Sequence, residues 1–332
     1  MSARTTTGLP GEDTPPLHRP GDDALDARIR FLTELARRLH IAGVSSQRLE
    51  GAVRATARSL HVSAELWSTP TGLLLSLGDA DVVHGSQQTR VLRLEPGHVN
   101  LRALAVLDRI AEEVIDGRRS LESAWEAMRA LDRPETPATQ LRSVLAFGVG
   151  SAAVAGLLGT SWLDLGVAFV LGVLIGWIAI LSATRPNLAA ANEAVSALVA
   201  TTLATAFAHF VAPISLQTVI VASLIVLMPG LMLTTAMTEL ATQQLSSGTA
   251  RLGGALTVLL KLTFGSVAAS QVMLAVGWVA PVPPPSQLPA GVESLAAICA
   301  AASFAVLFRT ATRDVPLVMA SALLGYVITR VV

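Results

Sequence analysis

The stretch Ile225–Leu252, IVLMPGLMLTTAMTELATQQLSSGTARL, decides how this chain is read. It begins as an apolar run of the kind that crosses a bilayer, meets Pro229-Gly230, and then turns polar without a charge until Glu239. A proline inside a helix removes one N–H donor and clashes with the carbonyl of the preceding turn. The adjacent glycine adds backbone freedom. In lipid, the carbonyls freed near Ile225 and Val226 need partners from water, a neighbouring helix or a solute. Two readings are open. One is a discontinuous membrane helix whose ends act as partial charges toward a solute. The other is a proline kink near a helix end, followed by an interfacial loop. On the first reading Pro229, Gly230, Thr234, Thr235 and Glu239 line the cytoplasmic mouth of a solute path.

The composition around this stretch sets the class. Of 332 residues, 52% are hydrophobic and only 14% charged, with a mean hydropathy of +0.57; soluble domains carry about a quarter charged residues. The charges concentrate in residues 1–140. From Val144 onward apolar runs reach the roughly 20 residues needed to cross a bilayer. The chain therefore reads as an α-helical polytopic membrane protein with a small N-terminal α+β cytoplasmic domain. Its formal net charge of zero gives no electrostatic case for nucleic acid. The single cysteine, Cys299, excludes an internal disulfide and a cysteine metal cluster. No cofactor and no metal are expected.

Residues 1–23 are rich in Pro, Gly, Thr and Asp and are expected to form a disordered tail without a cleavable signal peptide. Residues 24–135 are expected to form the cytoplasmic domain. In Ala24–Gly43, Leu25, Ile29, Leu32, Leu35 and Leu39 recur at helical spacing, and a second helix follows Ser45 or Ser46. VSAELWS, GLLLSLG and TRVLRLEP are short β-type runs separated by turn residues, and two more helices complete an ααβββαα order. His40, His61, His84 and His98 are scattered, and no HExxH, GxSxG or P-loop is present, so no catalytic residue is assigned and the chain does not read as an enzyme. The distinctive WSTPTG stretch, Trp67–Gly72, either holds a ligand through Thr69 and Thr71 or simply joins two strands.

Residues 136–143 read as a linker. Residues 144–280 read as a five-span unit: Val144–Leu163, Leu165–Ala183, Ala194–Ala212, Ile214–Leu233 and a span within Gly254–Ala280, with a tight loop at Asp164. Residues 281–332 read as an outer Pro-rich loop and two further spans, Gly291–Phe308 and Val315–Val332. With the N-terminal domain in the cytoplasm, Arg142, Arg185, Arg251, Arg309 and Arg313 fall on the cytoplasmic side and Arg330 alone breaks the pattern. DLGVAFVLGVLIGWI from Asp164 echoes DVPLVMASALLGYVI from Asp314. The echo reads either as an inverted repeat or as chance similarity of Leu/Gly-rich helices.

The stretches LHIAGVSSQRLE, STPTGLLLSL, NLRALAVLDRIAEEVIDG and above all LMPGLMLTTAMTELATQQLSSGTARL resemble the bacterial threonine/serine exporter family from about residue 25 onward. The resemblance implies a cytoplasmic N-terminal domain, a five-span unit and a second five-span unit. Here it covers only the start of that second unit. It also implies export of small amino acids of the threonine/serine kind; with no nucleotide-binding motif in the sequence, an inner-membrane secondary transporter driven by the proton gradient is expected. In some bacteria the two units are separate polypeptides, a form associated with succinate export. The alternatives are thus a dicarboxylate exporter working with a separate partner subunit, or a membrane sensor that transports nothing. Expected partners are the lipid bilayer, a small amino acid or carboxylate, and a homo-oligomer or second-half subunit.

Other polar groups in the apolar region are candidates. Lys261 is the sole lysine. It pairs with a substrate carboxylate or with Glu239, or it sits at the interface and snorkels. Glu239, Glu193 and His209 are candidates for proton coupling; Glu193 also reads as a solvated helix start and His209 as a packed or interfacial histidine. Gln217 and Gln271 line a path or bond between helices.

Overall fold

The computed structural model describes residues 22–82, 87–94, 99–132, 136–283, 288–289 and 291–331. His84 and His98 lie outside them, as do residues 1–21 of the tail expected over residues 1–23, whose last two residues instead begin the first helix.

The N-terminal domain has the expected order. Helices α1 (Asp22–Ile41) and α2 (Ser46–Ser59) precede strands β1 (Val62–Thr69), β2 (Gly72–Asp79) and β3 (Gln88–Arg93), and α3 (Leu101–Ile115) and α4 (Leu121–Arg129) follow. The strands form one antiparallel sheet in the order β1-β2-β3, with Leu66 opposite Leu75 and Leu75 opposite Arg90. Period-2 alternation turns Leu73, Leu75 and Leu77 inward. They meet Phe31, Leu32, Leu35 and Leu39 of α1, Leu49 and Val53 of α2, and Leu107 and Ile110 of α3 in one core. Arg38 ties the domain's last turn to α1. Its guanidinium donates to Glu34, to the Met128 carbonyl and to both oxygens of Asp132. Although burial pushes the Glu34 carboxyl up, hydrogen bonds from Arg37 and Arg38 hold it below its ordinary value.

The helices of the apolar region are α5 (Pro137–Leu157), α6 (Trp162–Ala183), α7 (Pro186–Phe210), α8 (Leu216–Leu224), α9 (Gly230–Ala241), α10 (Leu245–Ala275), α11 (Val292–Leu307) and α12 (Val315–Val331). Helices α5, α6, α7 and α10 are each long and apolar enough to cross a bilayer, and α8 with α9 forms an apolar pair bent by 59°, the shape of a broken span or of a re-entrant loop.

Several boundaries differ from the sequence reading, each for a local reason. The expected linker 136–143 is largely helix. The Thr136 side chain accepts from the Thr139 N–H, and Pro137 sits in the first turn, where its missing donor costs nothing. A first-turn proline, here without a side-chain cap, likewise starts α7 at Pro186 rather than near Ala194. The first two spans are joined before Asp164, not at it. Ser161 caps α6 and exchanges hydrogen bonds with Asp164 in a capping box, which places Asp164 inside the first turn. The fifth span starts at Leu245, so SSGTARL is helical. Finally, α11 and α12, with 16 and 17 residues, are about 24–26 Å long at 1.5 Å per residue, short of the roughly 30 Å apolar core. They are apolar helices but less than the full crossings expected.

Two levels of contact orient the bundle. At one end the Leu101 and Arg102 N–H groups of α3 donate to the Phe308 and Arg309 carbonyls just beyond α11, and the α1–α2 corner meets the α9–α10 corner. At the other end Asp164 accepts from the Ser215 N–H before α8, and His209, Phe210 and Trp278 form an aromatic cluster. Arg251 and Arg309 lie at the domain end. Asp164 lies at the far end and Asp314, just after α11, at the domain end. The two Asp residues of the sequence echo thus occupy opposite ends, although one sits inside its helix and the other caps its helix.

Candidate functional site

The decisive stretch folds as an interrupted helix. After α8 the chain makes one 3-10 turn, Ile225–Leu227. Met228 and Pro229 leave helical geometry, and α9 departs at 59° to the preceding segment. The Ile225 carbonyl accepts from the Met228 N–H, and the Met228 carbonyl from the Gly230 N–H, so local turns take up the polar groups that the proline disrupts. Around the break the neighbours are polar or small. The Ser151 hydroxyl of α5 donates to the Ser223 carbonyl at 3.4 Å, and Ser303 of α11 lies against Gly150. Thr234 and Thr235 follow on α9, with the Thr234 hydroxyl donating back to the Gly230 carbonyl.

Glu239 sits near the end of α9 and is fully buried, at 0% exposure. Both carboxylate oxygens are occupied. Arg251 Nε lies 3.1 and 3.0 Å from them, the Ser247 hydroxyl donates at 2.9 Å, and the Ser46 backbone N–H donates at 2.9 Å. Because Ser247 gives its proton to Glu239, the Ser46 hydroxyl 2.7 Å away donates to Ser247. Arg251 also donates to the Val44 carbonyl at 3.0 Å. Ser46 is the first residue of α2, and its cap residue Ser45 makes no side-chain capping bond. Glu239 therefore caps α2 from another part of the chain, its negative charge at the positive helix end.

Lys261 does not meet Glu239. Its ammonium donates to the Ala190 carbonyl at 2.8 Å and pairs with Glu193 of α7 at 3.4 Å. The helices approach closely here because of Gly265: a Cβ there would run into the backbone of Ala194 and the side chain of Ala197. The 14 residues from Lys261 to Ala275, at the aromatic end of α10, span about 21 Å, inside a roughly 30 Å apolar core. The Lys261 and Glu193 side chains keep 35% and 21% exposure in the isolated chain. On α7, the Asn192 Oδ1 and the fully buried Ser196 hydroxyl flank Glu193 in sequence, and neither has a hydrogen-bond partner among the described residues.

The remaining candidates are dispersed. His209 Nδ1 lies 3.1 Å from the Val279 carbonyl at the far end and faces Trp278, so it belongs to the aromatic belt. Gln217 and Gln271 are exposed on the bundle surface. The WSTPTG stretch forms the end of β1 and the turn to β2. Its Pro70 carbonyl accepts from His40 Nε2 at 3.0 Å, which fixes the proton on that nitrogen. Burial, and then the nearby Arg251 charge, push the His40 pKa down against the raising effect of that bond. Sequence reasoning missed Arg251, Ser247 and Ser46 as partners of Glu239. The only signal was the spacing of Ser247 and Arg251 by four residues, which puts them on one helix face.

The family profile described as "Putative threonine/serine exporter" (ThrE) matches residues 30–273. Among curated proteins the chain is similar to pheromone-regulated membrane protein 10 of three yeasts. The Pichia sorbitophila protein is 26% identical over 76% of this chain and 25% of its own length. The Debaryomyces hansenii protein is 25% identical over 76% and 25%. The Candida albicans protein is 26% identical over 72% and 22%. The chain thus spans about a quarter of the length of these relatives. No solved structure matches it. With the profile covering most of the chain, from α1 to the end of α10, this membrane protein belongs to the threonine/serine exporter family.

Proposed function

We propose that the chain is a secondary transporter of a bacterial inner membrane, with the N-terminal domain in the cytoplasm, exporting small amino acids of the threonine/serine kind on the proton gradient. The observation that carries this reading is the Lys261–Glu193 pair between α7 and α10, at a depth where a charge is expensive and paired charges mark solute pathways. An amino acid is a zwitterion. Its carboxylate suits Lys261 and its ammonium suits Glu193, while in its absence the two side chains neutralise each other. Protonation of Glu193 would release Lys261 to the substrate carboxylate, which makes Glu193 the proton carrier in this scheme. The interrupted helix at Pro229-Gly230, with Thr234 and Thr235 beyond it, supplies helix ends and hydroxyls on the way out of the domain side. Family membership supports the substrate class.

Uptake into inverted vesicles tests it, with labelled threonine and succinate competed against each other, with and without a pH gradient. Threonine uptake that needs the gradient and is lost in Lys261→Ala and Glu193→Gln is expected. Uptake indifferent to both substitutions overturns the assignment of the pair. Succinate uptake in place of threonine moves the substrate class to dicarboxylates.

A further inference from the structure

We propose that Glu239 is a positioning residue: it latches the N-terminal domain onto a hinged arm, Gly230–Leu252, so that opening of the path on the domain side requires the domain to let go of the arm. The inference rests on the transport reading above and assigns Glu239 to the control of that path rather than to its lining.

Three independent observations converge. The first is saturation. Both Glu239 oxygens are taken by Arg251, Ser247 and the Ser46 N–H, with no exposure to solvent or to a solute. A group so engaged does its work through what it holds.

The second is the mechanics of the arm. It comprises α9, the corner and the first two turns of α10. At one end is the Pro229 break with its 59° bend. At the other is the pair Gly253-Gly254, through which α10 runs as one uninterrupted helix but where two glycines lower its stiffness. Beyond that pair α10 is anchored to α7 at Gly265. Glu239 lies nine residues from Gly230, about 14 Å along α9 at 1.5 Å per residue. A swing of about 10° at the break would move it by roughly 2.4 Å, enough to rupture hydrogen bonds of normal length.

The third is the domain's second foothold. The first N–H groups of α3 donate to the carbonyls at the end of α11, and α11 packs on α5. The domain therefore stands with one helix N-terminus on the packed bundle and grips the arm with another. A body fixed to one part and clasped to a hinged part controls their relative motion.

The geometry offers a direct test. The Ser46 and Ser247 hydroxyl oxygens are 2.7 Å apart. In a Cys299→Ser background, Ser46→Cys with Ser247→Cys places two thiols for a disulfide. Oxidation forms the S–S bond with loss of two thiol protons and two electrons to an added oxidant such as copper phenanthroline, and dithiothreitol reverses it. Thiol titration reports closure. Oxidised protein in inverted vesicles is expected to lose about tenfold or more of its uptake and to regain it on reduction. A purely structural contact predicts no loss, since the bond only reinforces what is already joined. Full transport by the cross-linked protein overturns the latch.

A second readout needs no transport. In Glu239→Gln, amide hydrogen exchange is expected to rise together in residues 44–49 and 230–252, by about tenfold, while α7 stays unchanged. Unchanged exchange in the arm overturns the latch. Should the wild-type protein move neither threonine nor succinate, the transport reading fails and hydrogen exchange still decides whether Glu239 holds the arm.

Discussion

Among the described residues, two acid–base pairs join one helix of the apolar half to another, and they are built in opposite ways. Glu239 and Arg251 join α9 to α10 at the domain end, with 0% and 12% of their side chains exposed; Oε1 accepts from Arg251 Nε and the Ser46 N–H, and Oε2 from Arg251 Nε and the Ser247 hydroxyl. Glu193 and Lys261 join α7 to α10 one level deeper, at 3.4 Å, partly open, with unpartnered polar atoms on the flanking turn of α7. A saturated pair is a fastening. An open one, with hydrogen-bonding capacity to spare, can exchange its partner for a solute. The sequence places an acid and a base in each case; the count of satisfied donors tells them apart.

The comparison breaks most visibly if the fastening is cut. Glu239→Ala leaves Arg251 nearly buried with its charge uncompensated and removes the cap from α2. Losing one member of a buried pair costs about 3–5 kcal/mol, so the detergent-solubilised protein should melt several degrees lower and the α1–α2 corner should become protease-sensitive. Melting and limited proteolysis matching the wild type would show that the pair is not what holds the domain. The open pair should behave in reverse. Replacing both members together, Glu193→Gln with Lys261→Met, removes both charges from the apolar layer and should leave stability close to the wild type, while threonine uptake falls tenfold or more. A variant that melts early and transports normally would exchange the roles of the two pairs.

Much of this contrast was beyond reach of the sequence, for physical reasons. Periodicity exposed the ααβββαα domain because its elements bury one face, as in Leu32, Leu35 and Leu39. The break at Pro229-Gly230 was legible because proline acts through local covalent geometry. Helix starts were misplaced where a short polar signal outweighed hydropathy. Thr136-Pro137 and Arg185-Pro186 begin helices inside stretches that look like loops, and the Ser161 capping box draws Asp164 into α6. The partner of Lys261 was illegible because it is set by register between α7 and α10. That register depends on where Gly265 lets the backbones touch. The capping of α2 by Glu239 spans 193 positions and leaves no local trace beyond a serine cap without its bond.

The latch region should also respond to acid. His40 is buried, its Nε2 donating to Pro70, and its pKa is held below the free value of 6.5. Between the lowered folded pKa and 6.5 the unfolded chain binds more protons than the folded one, so stability contributed by neutral His40 is complete above 6.5 and is lost as pH falls below it. The melting temperature should therefore fall as the pH is lowered through 6.5. His40→Gln, which keeps a donor for Pro70 without a titrating ring, should flatten that part of the profile. An unchanged slope in the variant would place the acid sensitivity elsewhere.

The smallest effect sharpens the comparison at the corner itself. α9 ends in a Schellman turn: the Gln244 N–H donates to the Glu239 carbonyl and the Gln243 N–H to the Leu240 carbonyl, with Gln243 at φ +65°. A glutamine pays a steric cost in the left-handed region that a glycine avoids, about 1 kcal/mol, partly offset by the freedom glycine gains when unfolded. Gln243→Gly should therefore stabilise the corner by a few tenths to about 1 kcal/mol. Because the turn fixes where Glu239 and Ser247 face each other, the gain should vanish in Glu239→Ala if turn and latch act as one unit. A double-mutant cycle on melting free energies measures that coupling. Simple additivity would mean that the turn holds its shape without the latch, and that the domain grips a corner formed independently of it.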